Sequence, residues 1–334
     1  MSEIKFTDNF DTDFSFLKQD LQNIFSAGEK ICIKMHLGEP GNNNHIKAEQ
    51  VKKLVKLMNE IGLKPFVLDT TVGYNSPRQT VAGYQKAAKD NGFTEEFLDC
   101  PLIISEKGII VKTQHLEAQV CKELFEADGI IVLTHAKGHE CSGMGGAIKN
   151  LGMGALIKET KQDIHNKAQA QIVYPEKCIQ CKTCEKYCPA KAIKVTDKPV
   201  IDHNKCYGCD ICVLNCQSKV FAPKIALIDE LLAEGAFAAV KHFIEKKKIF
   251  CITFMNNIAL HCDCFSQSGH FIANDVGIIA GQDIAAIDNA AVDLINEKSK
   301  KDVFLLAHHK NPKLQVDFAE KIGMGKRNYK LLKI

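Results

Sequence analysis

The sequence predicts an α/β protein: one discontinuous, mostly parallel α/β domain interrupted near its middle by a small α+β insert. Three observations lead there. Short apolar runs alternate with segments of helical periodicity over the first half of the chain, and the same alternation resumes near its end. Between the two, eight of the fifteen cysteines crowd into residues 178 to 216. The expected divisions are 1–173 for the N-terminal part of the α/β domain, 174–222 for the insert and 223–334 for the C-terminal part.

The elements follow in order. KICIKMH, Lys30 to His36, reads as a β-rich run, and residues 46–61 place Ile46, Val51, Leu54, Val55, Leu57, Met58 and Ile61 at helical spacing. KPFVLDT, Lys64 to Thr70, is the next strand, and Arg78 to Asn91 the next helix, with Gly92 as its stop. A strand pair over 101–113 and a helix over 117–127 come next. GIIVLTH, Gly129 to His135, is an unbroken apolar run and predicts a strand buried on both faces. Past the insert, 225–245 reads as an amphipathic helix, 248–255 and 277–280 as strands, and 284–297 as an Ala-rich helix. Pro312 to Ile334 reads as a helix, a Gly-Met-Gly turn and a terminal strand, YKLLKI. Because strand and helix alternate on both sides of the cysteines, one interrupted domain is the simplest topology.

With 46% hydrophobic and 25% charged residues in 334, the chain has the balance of a globular protein. No apolar run reaches the length of a membrane helix, and the N-terminus MSEIKFTDNF lacks the apolar centre of a secretory signal. A cytoplasmic location is expected, where clustered thiols bind metal rather than pair as disulfides.

The spacing C-x2-C-x2-C-x3-C occurs twice, at Cys178, Cys181, Cys184 and Cys188, and at Cys206, Cys209, Cys212 and Cys216. Three cysteines two residues apart wrap one cubane, while the fourth reaches the neighbouring cluster. The expected ligand sets are therefore crossed: Cys178, Cys181, Cys184 and Cys216 for one 4Fe-4S cluster, and Cys206, Cys209, Cys212 and Cys188 for the other. Soft thiolates select iron-sulfur or zinc, and two copies only seventeen residues apart favour iron-sulfur. Over its whole length the insert resembles bacterial two-cluster ferredoxins, with Ala192-Ile193 and Val200-Ile201 similar to their core positions. One departure is Gln217, where proline usually follows the last cysteine.

The formal charge of +3 resides in this insert, since residues 174–223 hold eight Lys against five Asp or Glu. Eight thiolates around two oxidised cluster cores reverse that sign, to about −1 overall, which removes the support for nucleic-acid binding. Lysines 177, 182, 186, 191, 194, 198, 205 and 219 are expected to offset cluster charge and to dock an acidic redox partner protein.

Seven cysteines remain. Cys32, Cys100, Cys121 and Cys251 sit among apolar neighbours and read as small hydrophobes of the core. Cys262 and Cys264 bracket Asp263 beside His261; in an extended segment both thiolates face one way and Asp263 the other, which makes a candidate site for an additional metal ion. The strand ending at Thr134 runs into HAKGHECSGMGGAIKNLGMG, which places His135, His139, Glu140 and Cys141 where open α/β sheets bind ligands. Gly143, Gly145 and Gly146 precede a short helix containing Lys149, whose free N–H groups are candidates to cradle an anion. The spacing matches neither the phosphate-binding nor the dinucleotide-binding glycine fingerprint.

Several of these runs together resemble one family, the iron-sulfur centre proteins of domain of unknown function 362. Carrying the resemblance are MHLGEPGN from Met35, KGHE and GGAIKNLGMG between Lys137 and Gly154, the insert, Cys262 to Cys264, and DVGIIAGQDIAAID from Asp275. The resemblance implies iron-sulfur binding and names no reaction. The leading functional reading is a redox enzyme in which the insert delivers electrons to a site built from His36, Glu39, His135, His139, Cys141, Cys262 and Cys264. The alternatives are a non-enzymatic electron-transfer subunit, with the α/β body as a docking platform, and a metal- or cluster-handling protein that uses the Cys262–Cys264 pair.

Overall fold

Side chains alternate across a strand, so the long apolar runs feed two cores at once. The computed structural model describes residues 1–334. Its central sheet contains β1 (Ser2–Thr7), β2 (Lys30–Lys34), β3 (Lys64–Thr70), β4 (Leu102–Ser105), β5 (Gly129–His135), β6 (Ile249–Met255), β7 (Gly277–Gly281) and β8 (Tyr329–Lys333). The spatial order is β8-β1-β7-β6-β5-β2-β3-β4. Only β7 runs against the rest, pairing antiparallel with β1 and β6. Since β2 pairs parallel with both β3 and β5, the carboxyl ends of these three strands lie side by side.

Cys32, Ile130 and Val132 point to one face, where they pack with α3 (Ala147–Gly154), α5 (Ile228–Glu245) and α6 (Ile284–Ser299). Ile31, Ile33, Ile131 and Leu133 point to the other, against α1 (Ala48–Glu60) and α2 (Val81–Asp90). Each fully buried Ile or Leu contributes about 1.5–3 kcal/mol. Helix α3 is pressed onto α5 at Gly152, where a Cβ would come 2.2 Å from the Leu232 carbonyl oxygen. That contact fixes the helix that carries Lys149 and Asn150.

The stretch expected to be a helix over 117–127 is mostly a strand. Glu117–Cys121 pairs antiparallel with Gly108–Lys112, and only Lys122–Phe125 is helical. Within EAQVC the buried Ala118 and Val120 are two apart, so period-two burial prevailed over helical propensity. The strand pair expected over 101–113 is divided accordingly: Leu102–Ser105 joins the central sheet beside β3, and Gly108–Lys112 joins the separate hairpin. Strand β1, which carries no clear sequence signal, pairs parallel with β8.

The cysteine-rich stretch forms its own small unit. Ala170–Ile172 pairs antiparallel with Phe221–Pro223, just outside and across the expected 174–222 limits, and Ile193–Val195 pairs with Pro199–Ile201. A small core of Ala170, Ile193, Val195, Cys212, Val220 and Phe221 fills it. The unit docks through its second cysteine loop. Gly208 takes a left-handed φ of +70°, and a Cβ there would lie 2.6 Å from the His165 carbonyl oxygen of helix α4 (Lys158–Ala168).

Candidate active site

A cavity of about 60 Å³ opens at the carboxyl ends of β2, β3 and β5, as expected for an open parallel sheet. Its floor is polar. The buried Lys34 at the end of β2 donates to Asp69 Oδ1 at 2.9 Å, to Asn150 Oδ1 at 3.0 Å and to the Met35 carbonyl at 3.2 Å. Burial opposes ionisation of Asp69, but Lys34, His36 and Lys161 outweigh it and hold its carboxyl below the usual range. Tyr84 donates to the other carboxylate oxygen.

Over this floor lies the loop that carries Cys262 and Cys264. It is a tight turn, closed by Phe265 N–H donating to the Cys262 carbonyl at 3.0 Å, so the extended geometry that would face both thiolates one way does not apply. The turn still brings both thiols into the cavity wall. Cys264 is held well below the ordinary thiol range by the Cys262 thiol, the Lys149 ammonium and His36. Cys262 is pushed correspondingly up, by the neighbouring Cys264 and by burial. Negative charge on the pair is thus favoured at Cys264. Lys149 Nζ and His36 Nε2 each lie 3.5 Å from the Cys264 sulfur. Asp263 points to the Lys137 ammonium and to His135 Nδ1, the latter at 3.1 Å. Burial opposes its ionisation, but Lys137 and His135 keep the carboxyl well below the usual range.

Of the other residues singled out from sequence, His36 and His135 line the cavity, whereas Glu39, His139 and Cys141 do not. Gly38 N–H donates to His36 Nδ1 at 2.9 Å, and Arg78 Nη1 approaches His36 Nε2 at 2.9 Å beside Cys264; burial holds this histidine below its ordinary value. His135 Nε2 faces the Asn256 carbonyl at 2.6 Å. Glu39 is a structural anion: it accepts from Arg78 Nε at 2.7 Å and from Ser76 Oγ at 2.6 Å. His139 Nδ1 accepts from the Cys141 backbone N–H at 3.1 Å, behind the wall. Cys141 is buried on the side of the insert, close enough to Cys209 and Lys310 to feel their charge.

The glycine-rich turn before α3 does not leave its N–H groups free for an anion. Asp288 of α6 already takes them, accepting from Ala147 N–H at 2.7 Å and Ile148 N–H at 2.9 Å. Gly146 permits that approach, since a Cβ there would meet Asp288 at 2.5 Å. The cavity residues missed from sequence are Lys34, Asp69, Lys137 and Asn150. Lys34 and Asp69 did carry a signal, being charged residues at the carboxyl ends of apolar strands. A convergence of His115, Glu230 and Glu234 lies elsewhere. Glu234 is saturated there by Thr113 Oγ1 and by the backbone and ring nitrogens of His115.

In the insert, the structure gathers the eight motif cysteines around two voids. One is walled by Cys178, Cys181, Cys184 and Cys216, the other by Cys188, Cys206, Cys209 and Cys212. The two halves repeat with a period of 28 residues. Left-handed backbone at Gln180, Lys182 and Lys191 recurs at Gly208, Asp210 and Lys219. Ala192 N–H donates to Cys188 Sγ at 3.2 Å, and Val220 N–H to Cys216 Sγ at 3.4 Å. Four soft sulfurs around each void, with backbone N–H groups aimed at sulfur, form a donor set that fits iron-sulfur groups.

Over 43 residues, 13% of this chain and 16% of the relative, the sequence is 54% identical to a subunit of the ion-translocating oxidoreductase complex of Methanosarcina acetivorans. Among solved structures, a Thermotoga maritima protein from the Northeast Structural Genomics Consortium aligns at a TM-score of 0.42 and 12% identity, covering 92% of this chain and 58% of that one. The lactate racemase apoprotein of Thermoanaerobacterium thermosaccharolyticum aligns at 0.35 and 12%, covering 84% and 54%. The chain thus spans under two thirds of each of these proteins. No helix is long and apolar enough to cross a membrane. Residues 31–293, most of the chain and both sides of the insert, match Domain of unknown function (DUF362), and the protein belongs to that family.

Proposed function

We propose that this protein is a redox enzyme whose insert holds two 4Fe-4S clusters, in the crossed cysteine sets given above, and whose α/β body uses their electrons at the Cys262–Cys264 cavity. The observation that carries this reading is the segment His308 to Lys310, which bridges the two places. Lys310 Nζ donates to the Cys209 carbonyl at 2.9 Å, and His308 Nε2 donates to the Leu260 carbonyl at 2.9 Å, two residues before Cys262. Cys141 lies near Cys209 on one side of the same wall that exposes Lys137 and Gly145 to the cavity on the other. Such clusters, when bound, exchange single electrons. The chain's own part is positioning. Lys310 supplies a buried positive charge beside Cys209, and Lys149 and His36 hold a thiolate in the cavity. Similarity to part of an oxidoreductase complex supports the redox assignment.

The cysteine loop at 178–184 is the outward one, with Cys181 exposed, whereas Cys209 packs against the core of the body. Electrons are therefore proposed to enter at the outer void from a redox partner protein with an acidic surface, matched to the surrounding lysines. The cytoplasm is the proposed compartment.

The test is anaerobic purification and reconstitution, with iron and sulfide quantification and EPR of the reduced protein. Two cubanes give about eight irons per chain. Fewer than about four, with no cubane signal, overturns the reading.

A further inference from the structure

The geometry points to Cys262 and Cys264 as a reversible dithiol/disulfide centre, a two-electron store in the wall of the cavity. This inference rests on the redox reading above and deepens it. In the oxidation, the S–H bond of Cys262 breaks, its proton passes to water in the cavity, and the thiolate of Cys264 forms the S–S bond. Two electrons leave, one at a time, to one-electron acceptors of the iron-sulfur class; reduction reverses each change.

Four observations carry it. First, reach is built in. Residues two apart cannot have Cα atoms more than about 7 Å apart, and disulfides bridge Cα separations of about 4.4–6.8 Å. The turn closed by Phe265 N–H places both thiols in the wall of one cavity. Second, the surroundings suit sulfur chemistry and not a bound cation. No third His, Cys or carboxylate places a ligand atom alongside both sulfurs. The neighbouring nitrogens, Lys149 Nζ and His36 Nε2, stand 3.5 Å away, the first an N–H donor and the second faced by the Arg78 Nη1 donor at 2.9 Å. A metal ion on the pair would face an ammonium at contact distance. The same ammonium stabilises the thiolate, which is the nucleophile in disulfide chemistry.

Third, one thiol of the pair, Cys264, is accessible where the remaining single thiols outside the insert are not. Cys264 is half-buried at the cavity wall, while Cys32, Cys100, Cys121, Cys141 and Cys251 are buried. None of those five has another cysteine within two residues of it. Fourth, the pair lies beyond the bridge His308 to Lys310 from the insert, so a two-electron centre and two one-electron sites sit in one continuous piece of packing.

The experiment is a thiol titration of the full-length protein in glutathione redox buffers under argon, read by differential alkylation and peptide mass spectrometry. It is run on both iron-loaded and iron-free protein. The expected result is a peptide spanning Cys262 to Cys264 that becomes lighter by two hydrogens in the oxidising buffers, takes no alkylating label, and recovers both labels on reduction. Cys262→Ser should abolish this while Cys264 stays open to label. Both cysteines remaining free across the whole range in folded protein overturns the proposal, as does a stoichiometric metal ion retained by the pair. Should the disulfide form while no cluster spectrum appears, the dithiol centre stands and the cluster reading alone fails.

Discussion

The ammonium of Lys149 lies 3.5 Å from the sulfur of Cys264, and that sulfur is its only hydrogen-bond partner within the protein. A partly buried ammonium and a partly buried thiolate stabilise each other, because each is shielded from water on the protein side. Removing the ammonium should therefore remove the thiolate. In Lys149→Met, alkylation of Cys264 by iodoacetamide at pH 7 is expected to slow about tenfold or more, since each unit of thiol pKa changes the thiolate fraction about tenfold. Rates read from the labelled peptide, with the far-UV spectrum as the control for folding, check this; an unchanged rate would mean that Lys149 does not hold the charge.

A second prediction concerns the turn that was expected to cradle an anion. The Asp288 carboxylate occupies the start of α3, and burial pushes it up to about 6, against the N–H groups of Ile148 and Ala147. Gly146→Ala forces a Cβ into that carboxylate and should destabilise the protein by about 1–3 kcal/mol. Asp288→Ala strands two buried N–H groups, at a similar cost of about 1–3 kcal/mol. Because the clash in the first variant needs the carboxylate that the second removes, the double variant should lose less than the sum. Urea unfolding of all four proteins measures the coupling.

What could be read from sequence, and what could not, divides along physical lines. The cysteine spacing at 178–216 is a local pattern, and its side chains line two voids in the structure. The runs KPFVLDT and GIIVLTH also carry their own signal, since burial on both faces leaves no polar position to blur the ends; both are strands over those residues. Arg78, by contrast, comes from a short 3-10 turn without periodicity, yet it anchors Glu39 beneath the loop preceding α1. Asp288 sits within an Ala-rich helix and caps a helix about 140 residues earlier, a partnership no local pattern encodes. The cavity as a whole is assembled from five separated segments, and only the packing of α3 between β5 and α5 brings Lys149 to the Cys262–Cys264 turn.

A third prediction follows from two histidines held neutral. Burial pushes His308 down to about 4, aided by His261 and His309, and His45 to about 4, aided by Lys47. Unfolded, each titrates near 6.5. A depressed folded value means that the unfolded chain binds more protons between the two, so the stability each contributes is complete above about pH 6.5 and is lost as pH falls toward about 4. The loss per histidine is on the order of 1–3 kcal/mol, discounted for partial exposure. Unfolding free energy measured across that window should fall, and His308→Gln should flatten the slope. Hydrogen exchange should locate the early loosening near Leu260, whose carbonyl His308 holds.

The last prediction separates stability from redox tuning at the junction between body and insert. Lys310 and Asp229 form an ion pair of 2.7 Å with neither side chain exposed, and Lys310 also donates to the Cys209 carbonyl. Breaking a buried pair from one side leaves an uncompensated charge, so Lys310→Met should cost about 3–5 kcal/mol. Replacing both, as Lys310→Met with Asp229→Leu, removes the carboxylate paired with Lys310 and leaves only the buried Asp210 without its nearby ammonium, so part of that loss should be restored. The electrical consequence differs. A positive charge beside Cys209 favours the reduced, more negative state of any iron-sulfur group held there, so the single variant should be harder to reduce at the inner site while the outer site is unchanged. In the double variant the lost positive and negative charges offset each other, and the potential should return toward the wild-type value. EPR-monitored redox titration of the iron-loaded variants, alongside guanidinium unfolding, reads both quantities. A single variant that loses stability with no change at the inner site would mean that Lys310 only packs the junction.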